Sequence, residues 1–380
     1  MAFESARRPN ANREPLRPTS PEDPGFWRRF IRPLKSADIN PAKHGPVQRF
    51  FARLGSIWDL AAYVYVLLAV LTAASRKFSG DAPVFLHTLH AVFPVLMVPA
   101  VIVFVVSLAR RRFLLLLLSA ALAVSGWFAI APARSKLPPP AWVRGAATFT
   151  IASSNVYFEN KNPTEAARSL MARNADVVVV TELTESFLRT LDDQGFATAY
   201  PHRSTVMASV SNGAGVFSKF AFREARRWGS DKFPDVDIEL PNGQVVRVLS
   251  VHPLPPLEDR PSKTWNRDLQ RLKERAQDEE GRPFTAVGDF NGARWQPRFG
   301  ALLAEYGDAH EAVGKGLTTS WPMNQMVPRF TRLDHALFNG LLYPTAVEDF
   351  TVPGSDHRAF EVRFAVKPEP VIPSEPTDAP

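Results

Sequence analysis

Hydrophobic positions follow two different rhythms along this chain. From about residue 57 to 131 they run almost unbroken, in stretches 57–75, 83–109 and 113–131 separated by short basic turns. Each stretch is close to or above the length of about 20 residues that an α-helix needs to cross hydrocarbon. Three transmembrane helices are predicted there, with Pro94 and Pro99 placed to kink the second. Beyond residue 147 the apolar runs shorten to roughly four to eight residues and alternate with amphipathic stretches. Strands are predicted over 149–156, 176–181, 213–217, 236–240, 244–251, 285–287, 334–338 and 360–364, with Pro241-Asn242-Gly243 turning one hairpin. Helices are predicted over 164–173, 184–191, 262–276 and 297–306. Such interleaving predicts an α/β sandwich whose chemistry sits in loops at strand ends.

Charge sharpens this division. The net formal charge is +7, but residues 1 to 56 carry 11 Lys or Arg against 5 Asp or Glu, and residues 57 to 140 carry 7 against 2. Residues 141 to 366 carry 26 against 28. The basicity belongs to the apolar end, which weakens a nucleic-acid reading of the later domain. By the positive-inside rule the arm before the first span and Arg110 to Arg112 are cytoplasmic, which puts everything after about residue 131 outside. The chain has no cysteine, so it has no disulfide, thiolate ligand or thiol nucleophile, in keeping with an oxidising outer compartment.

Five segments are therefore expected: a disordered basic cytoplasmic arm (1–56), three transmembrane helices (57–132), a Pro-rich linker (133–146), a catalytic domain (147–366) and a disordered tail (367–380).

Candidate chemistry lies where polar residues interrupt apolar strand ends. Asn155 ends the first strand, Glu182 follows Val177-Val178-Val179-Val180, and His252 follows Val248-Leu249-Ser250-Val251. Asp289 and Asn291 follow 284–287, Asp334-His335 interrupt 333–338, and Asp356-His357 precede Phe360. Singly, an Asn or Asp there is a turn former and a Glu a solvated cap. Together, six strand ends carry residues able to bind a metal or move a proton.

The stretches Ser154-Asn155-Val156, Thr181-Glu182, Ser250-Val251-His252-Pro253, Gly288-Asp289-Phe290-Asn291, Arg332-Leu333-Asp334-His335 and Gly354-Ser355-Asp356-His357-Arg358 resemble, in order, the motifs of the endonuclease/exonuclease/phosphatase superfamily. That resemblance implies the four-layered α/β sandwich of deoxyribonuclease I, preceded here by an all-α three-helix transmembrane region. With three spans and Gly316-Leu317-Thr318-Thr319-Ser320-Trp321-Pro322, the chain looks like the membrane-bound VanJ group, associated with glycopeptide resistance and hydrolysis of undecaprenyl pyrophosphate. The resemblance implies that Asn155, Glu182 and Asp356 serve a Mg²⁺ ion, with Mn²⁺ as an alternative, and that His252, Asp289, Asn291, Asp334 and His357 are catalytic. It leaves open whether Asp289 or His357 is the general base. His335 is read as incidental, His87 and His90 as polar helix positions rather than ligands, and Trp321 as either a substrate platform or a loop anchor.

The function expected is that of a membrane-anchored extracytoplasmic phosphohydrolase whose partners are the bilayer and a membrane lipid phosphate. An anchored nuclease is the nearest rival, with Arg223, Arg226 and Arg227 or Arg267, Arg271 and Arg275 lining its groove. A non-catalytic lipid- or protein-binding module is the third reading.

Overall fold

The computed structural model describes residues 46–78, 83–134, 136–230, 233–279, 281–323 and 327–369, with side chains from residue 54. Most of the expected arm and the whole tail beyond residue 369 lie outside the described residues, as does most of the turn after the first apolar stretch.

In the catalytic domain, period-two alternation decides which way each strand faces. In β1 (Thr148–Asn155) Phe149 and Ile151 enter a central core while Ala152 points the other way. In β2 (Val177–Thr181) Val177 and Val179 join that core, and Val178 and Val180 pack under helices α5 (Pro163–Arg173) and α6 (Glu185–Asp193). These α-helices follow four in the apolar region, α1 (Pro46–Phe78), α2 (Val84–Ala91), α3 (Phe93–Ala109) and α4 (Phe113–Arg134). The remaining elements are α7 (Phe196–Ala199), β3 (His202–Val206), β4 (Ala214–Ser218), β5 (Phe222–Trp228), β6 (Phe233–Glu239), β7 (Val245–Val251), α8 (Asp259–Asp278), β8 (Phe284–Asp289), α9 (Pro297–Leu302), β9 (Gly307–Asp308), α10 (Ala309–Ala312), β10 (Asp334–Phe338), β11 (Leu342–Thr351) and β12 (Arg358–Val366).

Two six-stranded sheets form, in the orders β11-β12-β1-β2-β4-β3 and β5-β6-β7-β8-β10-β9. The central core lies between them, where Val236, Val248 and Val287 of the second sheet meet Ile151 and Val179 of the first. Trp265, Leu269 and Leu272 of α8 and Phe299 of α9 cover the second sheet's outer face. Helix, sheet, sheet and helix make the expected α/β sandwich. Each sheet holds one parallel pair, β1 with β2 and β7 with β8, joined by crossovers through α5 and α8. The carboxyl ends of both pairs therefore share one edge of the sandwich, as do the first residues of the antiparallel β10 and β12.

Three features of the apolar region and the linker after it add to the expected outline. Helix α1 begins at Pro46, so residues 46–56 are helical rather than part of the arm; proline suits a first helical turn, where its missing N–H costs nothing. The second stretch is not one helix. It breaks at Val92 into α2 and α3, bent by 65°, because Pro94 has no N–H and its ring would clash with the carbonyl four residues back. Two helical spans, Leu54–Lys77 and Phe113–Arg134, are long and apolar enough to cross a membrane, or three if the bent pair counts as one. Finally, the Pro-rich linker is strapped to the domain: the Leu137 N–H donates to Ala312 O (3.0 Å) and Tyr343 Oη to Leu137 O (2.7 Å).

The described residues separate into two compact units, one of residues up to 67 together with 100–121, the other of 68–99 and those from 122 onward. Within the first, buried Asp59 is paired with Arg110 (3.3 Å) and Arg112 (2.5 Å), so the 110–112 turn and the start of the first span share one end.

Candidate active site

All eight expected site residues meet at the shared strand edge, with Asp289 Oδ2 as their hub. Asn155 Nδ2 donates to it at 3.0 Å and to Glu182 Oε1 at 3.0 Å. His357 Nε2 lies 3.6 Å from the same oxygen and His252 Nδ1 3.7 Å from it, both too far for direct hydrogen bonds. The other oxygen, Asp289 Oδ1, accepts the Asn291 N–H at 2.8 Å. Asn291 Nδ2 donates to Pro253 O at 3.0 Å and so ties the β8 loop to the loop after His252.

Backbone strain accompanies this convergence. Glu182 and Asn291 hold φ values of 58° and 45°, and Tyr157 one of 60°. Such left-handed conformations cost about 1–3 kcal/mol each and persist where the surroundings over-determine them. Gly288 is required for another reason: a Cβ there would lie 2.2 Å from Val251 O, in the strand paired beside it.

Asp334 Oδ2 and His357 Nδ1 form a fully buried pair at 2.8 Å. Burial pulls the imidazole pKa down, but Asp334, Asp289 and Asp356 outweigh it and push it up to about 10. The Asp334 carboxyl, although burial raises it, is held below its usual range by His357. The Ser320 hydroxyl accepts the Leu333 and Asp334 N–H groups, and the Ser355 hydroxyl donates to Asn155 O (2.6 Å) while accepting the His357 N–H (3.0 Å). These two serines position the catalytic strands. The sequence signalled them only by adjacency to the motifs.

The donor chemistry fits a hard divalent cation. Glu182 and Asp289 point carboxylates at one amide, burial holds the Glu182 carboxyl above its usual range, and Asp356 keeps a buried oxygen, Oδ1, without a hydrogen-bond partner. Asp289, Asp334 and His357 also offer atoms within 4.8 Å of one another. There, however, Asp334 and His357 are already bonded to each other, so the Glu182 side is the better cradle. The Asn155 amide oxygen accepts the Tyr157 N–H at 2.9 Å, which fixes the amide so that its Nδ2 orients two carboxylates while a second lone pair on the oxygen remains for a cation.

Apart from Trp321, the other flagged residues lie outside this cluster. His335 bonds Asp308 (2.6 Å) and Gly292 O (3.0 Å) behind the site. His87 and His90 bond the Ser262 and Ser75 hydroxyls at 2.9 and 2.8 Å. The Trp321 indole bonds Asp356, and its ring packs edge-on against Phe330. Four of the six clustered arginines face carboxylates, Arg223 with Glu239, Arg226 with Asp237, Arg271 with Asp268 and Arg275 with Asp235 and Glu279, whereas Arg227 bonds the Ser204 hydroxyl and Thr205 O and Arg267 the Ser230 hydroxyl.

Paired carboxylates facing an Asp–His couple at one edge of a two-sheet sandwich define a metal-assisted phosphoester hydrolase. The family model of the endonuclease/exonuclease/phosphatase family matches residues 152–357, and the chain belongs to that family. It is an enzyme of that kind, a hydrolase of phosphoester bonds that depends on a divalent metal. A comparison with curated proteins found no match. Among solved structures, zebrafish (D. rerio) TDP2 complexed with a single-strand DNA product is similar at 18% identity, over 58% of this chain and 100% of that one, with a TM-score of 0.49. A family protein from Bacteroides thetaiotaomicron is similar at 13% identity over 58% and 98%, with a TM-score of 0.46. A functionally unknown protein from Enterococcus faecalis is similar at 14% over 57% and 99%, with a TM-score of 0.47.

Proposed function

We propose that the chain is a membrane-anchored, outward-facing phosphohydrolase that uses Mg²⁺ to cleave a phosphoester or pyrophosphate of a membrane lipid such as undecaprenyl pyrophosphate. One observation carries this reading: the loops of the site are bonded to the apolar helical segments. Arg76 Nε donates to Trp295 O at 3.0 Å, Gln296 Nε2 to His87 O at 3.2 Å and Thr331 Oγ1 to Ala91 O at 3.4 Å. Trp295 and Gln296 follow Asp289 in the same loop, so the cleft mouth stands close to where those helices would leave the bilayer. A near-neutral domain in which four of the six clustered arginines face carboxylates fits a lipid phosphate better than a polyanion.

In this reading Glu182 and Asp356 hold the cation, which when bound neutralises charge developing on the phosphoryl group. Asn155 keeps the Glu182 and Asp289 carboxylates in register. Asp289 accepts the proton of the attacking water. His357, fixed through Nδ1 by Asp334 and protonated near neutral pH, presents Nε2–H to the phosphoryl or leaving oxygen. Asn291 spends one amide hydrogen on Pro253 O and keeps the second for a phosphoryl oxygen. His252, 3.9 Å from Glu182, faces the same space.

The test is a head-to-head assay of the full-length protein in proteoliposomes with Mg²⁺, scoring phosphate release from undecaprenyl pyrophosphate beside nicking of supercoiled plasmid. Lipid turnover without nicking is expected; nicking with inert lipid would establish the nuclease instead.

A further inference from the structure

Among the described residues after 134, six large hydrophobic side chains are exposed, and their placement is uneven. Leu257 (65%), Val210 (53%), Val327 (53%), Leu317 (45%) and Met207 (37%) lie in three loops, and the sixth, Leu137, is in the strap after α4. All three loops leave or enter the strand ends that carry the site. Loop 253–258 follows His252 and is held by Asn291. Loop 207–213 meets the residue after Glu182, where the Leu183 N–H donates to Gly213 O at 3.2 Å. The segment from 316 to 333 contains Trp321 and leads to Asp334. The turns at the opposite ends of the strands are polar, as in Asn242-Gly243 between β6 and β7.

Exposed apolar side chains gathered on one face call for a partner surface. Two observations say which. Leu317 lines a cavity together with Pro94 of α3, so the rim is continuous with the apolar helical segment. Beyond the exposed Glu258 and Asp259 that follow Leu257, Arg260, Lys263 and Arg267 are exposed at helical spacing on one face of α8, and Lys263 and Arg267 share a second cavity with Asp259 and with Pro83 and Val84 at the start of α2. An apolar tip beside a cationic stripe is the composition of an interfacial element, in which apolar side chains enter the headgroup–acyl boundary and cations meet anionic headgroups.

We propose that the cleft rim, Leu257, Leu317, Val327, Met207 and Val210, is seated in the bilayer interface, so that the site opens onto lipid headgroups and a substrate phosphate reaches Asp289 without leaving the membrane. The proposal rests on the membrane reading above and adds to it a surface distinct from the spanning helices.

The chain has no cysteine, so single labels are unambiguous. Leu257→Cys, Leu317→Cys and Val210→Cys, with Asn242→Cys as the aqueous control, would each carry a nitroxide in the full-length protein. Each would be reconstituted in phosphatidylcholine–phosphatidylglycerol liposomes, and depth would be read from collisions with oxygen against a water-soluble nickel chelate. The rim labels are expected roughly 5–10 Å below the headgroup level, with the control in water. Rim labels as accessible to the chelate as the control would overturn the proposal. Depth is read without turnover, so a protein inert toward lipid phosphate would sink the substrate reading and leave this one to its own result. In the same liposomes, Leu257→Ser with Leu317→Ser should raise the apparent KM for the embedded lipid about tenfold and leave turnover of a water-soluble short-chain pyrophosphate within about twofold. Equal losses on both substrates would mean a structural role and would also overturn it.

Discussion

Asp334 Oδ2 sits 2.8 Å from His357 Nδ1, and the far nitrogen of the same ring points at Asp289 Oδ2, 3.6 Å away. One buried carboxylate thus fixes the tautomer and direction of an imidazole aimed at the hub of the site. Asp334→Asn removes the first of the influences that raise the His357 pKa while keeping the shape. Turnover should fall by about 10²–10⁴ with KM changed little, as read by single-turnover phosphate release. A loss in KM alone would place Asp334 in substrate binding.

Glu182→Gln should separate metal binding from folding. The Mg²⁺ concentration for half-maximal activity should rise at least about tenfold while the melting temperature without metal is unchanged or higher, because burial already strains this carboxylate toward its neutral form. Calorimetric titration with Mg²⁺ checks the first statement, and an unchanged affinity would move the cation elsewhere.

Gly288→Ala should be far more damaging than Gly243→Ala. Both glycines have positive φ, 143° and 83°, but a Cβ at Gly243 meets nothing within 4 Å whereas at Gly288 it meets the Val251 carbonyl. Thermal unfolding should show a loss of about 3 kcal/mol or more at Gly288 and about 1 kcal/mol at Gly243.

The buried cluster behind the site gives a pH signature. Burial, and then Arg332, hold the His310 pKa down at about 4, below its ordinary 6.5. Protonation therefore favours the unfolded chain. Its contribution to stability is complete above about pH 6.5 and is lost as the pH falls toward 4, at up to about 1.4 kcal/mol per unit. Asp308, Asp334 and Asp349, all held below the usual carboxylate range, lose theirs only below about pH 4. The melting temperature of the full chain in detergent should fall between pH 7 and 5 more steeply for the wild type than for His310→Asn. Parallel curves would remove His310 from the account.

What the sequence revealed and hid follows one physical line. The eight strands it predicted are the eight interior strands, whose buried faces enforce apolar runs. The four it missed, β3, β5, β9 and β11, are the four sheet edges. There one side faces solvent and charged side chains are favoured, so Phe222–Trp228 reads as an arginine cluster rather than a strand. The site was legible for the related reason that Glu182, His252 and Asp289 end apolar strands abruptly. The serines that position them carry no such contrast. Nor does hydropathy register helix continuity, so the break at Val92 was visible only as Pro94.

The central claim is that the cluster around Asp289 hydrolyses a phosphate presented by the membrane. Its most direct test is the initial rate of phosphate release from undecaprenyl pyrophosphate in proteoliposomes, for wild type and Asp289→Asn, with Mg²⁺ and with chelator. A wild-type rate that needs the cation and falls by about 10³ or more in the variant is the predicted result. Equal rates for the two proteins, or turnover indifferent to chelation, would contradict it.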